Sequence, residues 1–276
     1  MDVVKAKLDI IFKKLFTSDD EVLRAFLEDI LDIPKGGIKY IKVENPTILP
    51  SMIDGKQSQL DLKMSINDDK IINVEIQLCD KGNFKDRSVY YWSKIYTDEL
   101  KKGEDYSELK KTISINILNF NLFDCDDVCS RFSLLEEARH EPLTDKCSIL
   151  FFELKKVNNK IDKNDRKKLW LQLINAETEE ELDMLDKTGV PEIKKAVVIL
   201  HEMSADEQTR EIARLREKAI LDERSALNFA KSEGRAEGRA EGRAEGRAEE
   251  RDAIVTKLRK RGFTENEIRD MLEEEY

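Results

Sequence analysis

Histidine is nearly absent from this 276-residue chain: His140 and His201 stand far apart, and neither has motif neighbours. Two isolated imidazoles remove histidine-based metal-finger nucleases and most Ser-His-Asp schemes, so any chemistry has to lean on carboxylates. Cysteine is scarce as well. Cys79, Cys125, Cys129 and Cys147 form no disulfide-rich pattern, and the pair Cys125 and Cys129 has no second pair or histidine nearby, so four reduced thiols are expected rather than a zinc site. No stretch approaches the roughly 18–20 apolar residues of a membrane span, and the N-terminus has no apolar leader core, which points to a cytoplasmic protein without membrane contact. An excess of positive charge is also missing. With 48 basic and 58 acidic residues the formal charge is −10, and division at residue 156 leaves 24 basic and 29 acidic side chains on each side. Neither half is a basic module that would coat nucleic acid, so contact with phosphates would need cations clustered by the fold.

What is present is a chain that is 40% apolar and 38% charged, enough to pack a core while leaving a very charged surface. Its length suits one moderate domain with an appendage. We expect a core over residues 1–156, a helical extension over 157–232, a repeat spacer over 233–251 and a C-terminal helical hairpin over 252–276.

Apolar residues from Leu8 to Leu31 recur at helical spacing except at Thr17-Ser18-Asp19-Asp20, an N-cap signal that predicts two helices. After Pro34, Gly36 and Gly37, residues 38–49 alternate as a first strand with an irregular end. Leu60, Leu62, Met64 and Ile66 then alternate with Asp61, Lys63 and Ser65, and after a turn at Asn67-Asp68-Asp69 the apolar Val74, Ile76 and Leu78 alternate with Asn73, Glu75 and Gln77. Residues 83–100 carry aromatic and aliphatic side chains at helical spacing, and strand-like runs follow at 112–123, 131–135 and 147–154. From Asp165 to Ala230 the period is helical, punctuated by Pro191.

Residues 233–248 repeat Glu-Gly-Arg-Ala four times. A four-residue period rotates each residue type by about 40° per repeat and places like charges at i and i+4, and each Gly costs about 1 kcal/mol relative to Ala. This segment should be marginal as an isolated helix and is read as a spacer or self-association element. Thr264 and Glu267 form a capping box inside the last helical pair.

Strand alternation puts Asp61 and Lys63 on one face and Glu75 and Gln77 on the same face of the partner strand. A three-residue turn at 68–70 would set Asp61 opposite Gln77 and Lys63 opposite Glu75, whereas a turn centred on Asp68 would set Asp61 opposite Glu75. Either arrangement brings two carboxylates within reach of one hard divalent cation, Mg2+ or else Mn2+ or Ca2+, with the Ile76 backbone carbonyl as a further oxygen ligand. Polar residues on the exposed face of an ordinary hairpin would produce the same pattern.

Context separates the two. Asp9-Ile-Ile-Phe-Lys-Lys-Leu-Phe16, Leu60-Asp-Leu-Lys63, Asn73-Val-Glu-Ile-Gln77, Arg87-Ser-Val-Tyr-Tyr-Trp92 and the Glu-Gly-Arg repeats resemble the Rpn family of recombination-promoting nucleases or transposases, within the PD-(D/E)XK superfamily. The resemblance implies an α/β, restriction-endonuclease-like core, a mixed central sheet flanked by helices, followed by a helical C-terminal extension. It implies a metal-dependent DNA endonuclease tied to recombination or transposition, with Asp61 and Glu75 as metal ligands. Gln77 stands where the wider superfamily usually has a catalytic Lys, and Lys63 is the nearest substitute for that charge. Asp9, Arg87 and Tyr91 are weaker candidates for the site. The competing reading is a catalytically degenerate DNA-binding or assembly protein of the same fold, with a helical tail that sets a homo-oligomer.

Overall fold

The computed structural model describes residues 3–44 and 62–273. Asp19 ends one helix and begins the next: its backbone is extended, and its carboxylate accepts from the amides of Glu21 and Val22, both at 3.0 Å, which satisfies two of the donors that open a helix. This is the interruption expected at residues 17–20. It separates α1 (Asp9–Ser18) from α2 (Asp20–Ile30). Phe12, Phe16 and Phe26 interlock across the two helices at ring distances of 4.4 to 6.2 Å.

Six described strands follow: β1 (Ile41–Val43), β2 (Leu62–Ile66), β3 (Lys70–Gln77), β4 (Lys111–Leu118), β5 (Cys129–Phe132) and β6 (Cys147–Glu153), arranged in one sheet in the order β1-β2-β3-β4-β6-β5. Pairs β1/β2, β2/β3 and β5/β6 are antiparallel, and β3/β4 and β4/β6 are parallel. A parallel pair needs a long crossover. Helix α3 (Phe84–Asp98) supplies it between β3 and β4. The β2/β3 turn is centred on Asp68, with Leu62 opposite Val74 and Ile66 opposite Lys70. Asn67 and Asp68 take φ of 49° and 60°, the left-handed region that short polar side chains tolerate best. The register is thus the second of the two arrangements considered above.

Alternation gives the sheet two different faces. Leu62, Met64, Ile66, Ile72, Val74, Ile113, Ile115, Ile117, Leu150 and Phe152 point into the main core beside α1 and α2. The opposite face packs Leu118, Cys147, Ile149 and Phe151 against Phe84 and Trp92 of α3. The Trp92 indole donates to the Thr112 carbonyl at 2.9 Å and ties α3 to the sheet.

Helices α4 (Arg166–Asn175), α5 (Glu179–Asp186) and α6 (Pro191–Ala205) are built into that same main core. Trp170 is fully buried against Phe16 and Phe26, and its indole donates to Asp29 at 2.7 Å. Pro191 opens α6, where its missing amide proton costs nothing. Residues up to Asp222 form one compact unit, and a second begins at Glu223. The second unit contains the later part of α7 (Glu207–Lys260) and α8 (Glu265–Glu273). The repeat segment is helical, and a Cβ added at Gly234, Gly238, Gly242 or Gly246 would meet nothing within 4 Å. Gly262, at φ 93°, makes the turn into α8, and Thr264 and Glu267 exchange the capping-box bonds.

Candidate active site

The sheet face under α3 is unusual because its centre is polar. On β3 it carries Asn73, Glu75 and Gln77, and the parallel register sets Asn73 beside Ser114, Glu75 beside Asn116 and Gln77 beside Leu118. Asn73, Glu75, Ser114 and Asn116 are all buried. Buried polar groups are normally paired, so those without partners mark a place where something is missing or stored. Among the described residues, Asn73 Nδ2, Asn116 Oδ1 and Arg87 Nε are buried without a hydrogen-bond partner.

Helix α3 delivers Arg87 to this surface. Its Nη2 donates to Glu75 Oε1 at 2.8 Å and to Gln77 Oε1 at 2.6 Å, and its guanidinium carbon lies 4.7 Å from the centre of the Phe84 ring. Gln77 is held at its other end as well, since Nε2 donates to the Cys79 carbonyl at 3.0 Å. Burial pushes the Glu75 carboxyl above the usual carboxylate range, and Arg87 pulls it back only in part. No donor among the described residues engages Glu75 Oε2, and on the neighbouring strand Asn116, its register partner, has a buried Oδ1 that is also without a donor among them. Two such oxygens on neighbouring strands fit a hard divalent cation.

The other sequence candidates fall in several places. Asp61 lies outside the described residues. Lys63 shares the face of Glu75 but sits opposite Asn73, with ion pairs to Glu44 at 3.1 Å and Glu99 at 3.3 Å. Burial works against its charge, yet those carboxylates more than offset it and raise its pKa. Ile76 lies one residue beyond Glu75, its side chain on the main-core face. Tyr91 is half-buried, one helical turn beyond Arg87, edge-on to Tyr90 at 5.6 Å. Asp9 is not gathered with this group: its carboxylate is gripped by Arg216 of α7, with Nε at 2.8 and 3.0 Å from its two oxygens.

A further buried carboxylate, Glu153, is fully engaged by the Leu122 and Phe123 amides and by Lys156 at 2.6 Å, and so has no role as an open ligand. Among the described residues no three His, Cys, Asp or Glu side chains come together as a metal-holding group, and none of the four cysteines forms a disulfide. Asn116 and Asn73 were not singled out in the sequence, although the alternation Thr112-Ile-Ser-Ile-Asn116 already put polar groups on one face of a strand that is buried throughout.

Residues 6–230 match the family model described as PD-(D/E)XK nuclease family transposase. The chain belongs to this family. The mixed six-stranded sheet with flanking helices is consistent with the nuclease fold, and membership of the PD-(D/E)XK nuclease transposases supports a nuclease- or transposase-related role. No curated protein and no solved structure matches the chain. None of the described helices is long and apolar enough to cross a membrane.

Proposed function

We propose that this PD-(D/E)XK nuclease family member is a metal-dependent DNA endonuclease that hydrolyses phosphodiester bonds in recombination or transposition. The observation that carries the proposal is the buried Glu75, whose Oε2 meets no donor among the described residues, on the strand next to Asn116, whose Oδ1 is buried without a partner among them. Asp61 and Glu75 would hold the cation, with the Ile76 carbonyl as a third oxygen. Asp61 is bonded to Leu62, and Leu62 is the cross-strand partner of Val74, the residue before Glu75; this supports pairing the two carboxylates. When bound, Mg2+, or Mn2+ in its place, supplies a water of lowered pKa and charge for the leaving oxygen. The chain's own part is to keep Glu75 ionised against its burial, to position the phosphate and to limit water under α3.

Self-association through the second unit belongs to the same proposal, because Glu and Arg within the repeats stand two apart rather than at the three- or four-residue spacing of ion pairs along one helix. The degenerate-site reading has one observation in its favour: Glu75 is already neutralised by Arg87. Supercoiled plasmid incubated with purified protein and Mg2+ separates the two readings. Nicking that is lost in Glu75→Ala and Asp61→Ala supports the endonuclease. Sequence-selective binding with no cleavage in any of Mg2+, Mn2+ and Ca2+ overturns it.

A further inference from the structure

We infer that Arg87 supplies the phosphate-facing positive charge of this site and that Gln77 serves to hold Arg87 rather than to act on the substrate. The inference rests on the nuclease reading for its setting and on the geometry of one side chain for its content.

Gln77 is used at both ends. Its carbonyl oxygen accepts from Arg87 at 2.6 Å and its amide nitrogen donates to the Cys79 carbonyl at 3.0 Å, so the orientation of the amide is set by the groups around it. A neutral amide fixed in this way contributes no charge to a phosphate. Arg87 sits in the same hydrogen-bonded row. Only Nη2 is engaged by Glu75 and Gln77, while Nε is buried without a partner and Nη1 makes no hydrogen bond among the described residues. A guanidinium whose Nη1 is uncommitted among the described residues, braced by a carboxylate, an amide and the Phe84 ring, is preorganised for phosphate oxygens. Lys63, the alternative cation, is drawn to Glu44 and Glu99.

The residue types at 77 and 87 therefore form a matched set. A lysine at 77 would place an ammonium against the guanidinium, two like charges over one carboxylate. Moving the charge to the strand should be tolerated only if it leaves the helix at the same time. This yields a charge-transposition test with four proteins: wild type, Arg87→Gln, Gln77→Lys, and the double variant Gln77→Lys with Arg87→Gln.

The primary readout is binding of a fluorescein-labelled DNA duplex in EDTA, where no metal contributes, followed by plasmid nicking in Mg2+ and thermal melting of each protein. Arg87→Gln should weaken metal-free binding by about tenfold, the loss of one charge-assisted phosphate contact, whereas Gln77→Lys, which adds a cation but sets it against the guanidinium over Glu75, should keep metal-free binding and weaken nicking. The double variant should recover to within about threefold of wild type in binding, and should regain nicking. Arg87→Lys covers the case in which Arg87→Gln does not fold, because it keeps the charge and loses the fork. Its binding should fall below that of wild type, and wild-type binding by Arg87→Lys counts against the guanidinium fork.

Wild-type binding by a folded Arg87→Gln, or a folded double variant that binds no better than Arg87→Gln, overturns the inference. Its failure is distinguishable from failure of the nuclease reading. If wild type nicks, Glu75→Ala does not, and Arg87→Gln binds and nicks as wild type does, Arg87 is excluded while the nuclease stands. If wild type never nicks but binding follows the transposition pattern, Arg87 is a phosphate contact in a protein that is not a nuclease.

Discussion

Asp9→Asn removes one charge from the ion pair that joins α1 to α7, and its cost discriminates a structural carboxylate from a catalytic one. The Asp9 and Arg216 side chains are only 10% and 11% exposed, and Arg216 Nε lies within 3.0 Å of both Asp9 oxygens. An exposed pair would contribute about 0–1 kcal/mol, whereas removing one partner of a buried pair leaves an uncompensated charge and costs about 3–5 kcal/mol. At this burial the lower end of the second range applies, about 3 kcal/mol, because Asn still offers an oxygen to Arg216 and to the Ile10 amide, which donates to Asp9 at 2.9 Å. With a urea slope of about 2–3 kcal/mol/M for a unit of this size, the midpoint should fall by roughly 1–1.5 M. Fluorescence of the buried Trp92 and Trp170 reports the transition. Asp9→Ala combined with Arg216→Met should regain most of the loss, since neither charge is then stranded, and the cycle should return a coupling of at least about 2 kcal/mol. A midpoint within about 0.2 M of wild type, together with loss of DNA cleavage, would refute this reasoning and return Asp9 to the site.

Glu75, raised above the ordinary carboxylate range of about 4 to 5 by burial, must ionise to hold a cation, so Mn2+ affinity measured by calorimetry should fall as pH is lowered from neutral, with an onset at higher pH than an ordinary carboxylate gives; an onset no higher than that counts against Glu75 as a ligand. Arg87→Gln removes the charge that opposes burial and should move this fall to higher pH. Burial alone would raise Glu192, yet hydrogen bonds from Lys35 at 2.5 Å and Arg166 at 2.8 Å hold it at about 2, so its stabilising contribution is complete above the unfolded value of 4.5 and is lost as pH falls toward 2. Discounted for solvent around the exposed Lys35, this is about 1–2 kcal/mol, and Glu192→Gln should lower urea stability at neutral pH by that amount while flattening the acid limb. Replacing Gly234, Gly238, Gly242 and Gly246 together by Ala should raise the thermal stability of the tail helix in far-UV circular dichroism, at about 1 kcal/mol per site, because a Cβ there meets nothing. A drop in mass by light scattering in that variant would instead show the glycines packing against a second copy.

The sequence by itself determined the local pattern: the cap at Asp19, the Asp68-centred hairpin as one of two allowed registers, and the shared face of Lys63, Asn73, Glu75 and Gln77. These follow from backbone sterics and side-chain periodicity, which act over two to four residues. Family membership was legible for a similar reason, since the fragments that carry it are short and contiguous. Tertiary structure alone decided what the shared face meets. The parallel pairing of β3 with β4 set Asn116 beside Glu75, and the path of the crossover brought Arg87 onto both Glu75 and Gln77. It also assigned Asp9 to Arg216, 207 residues away, and placed Trp170 in the core of the first two helices. Such partners are chosen by burial and by which strands can pair after a long connection, and no period within the chain encodes that choice.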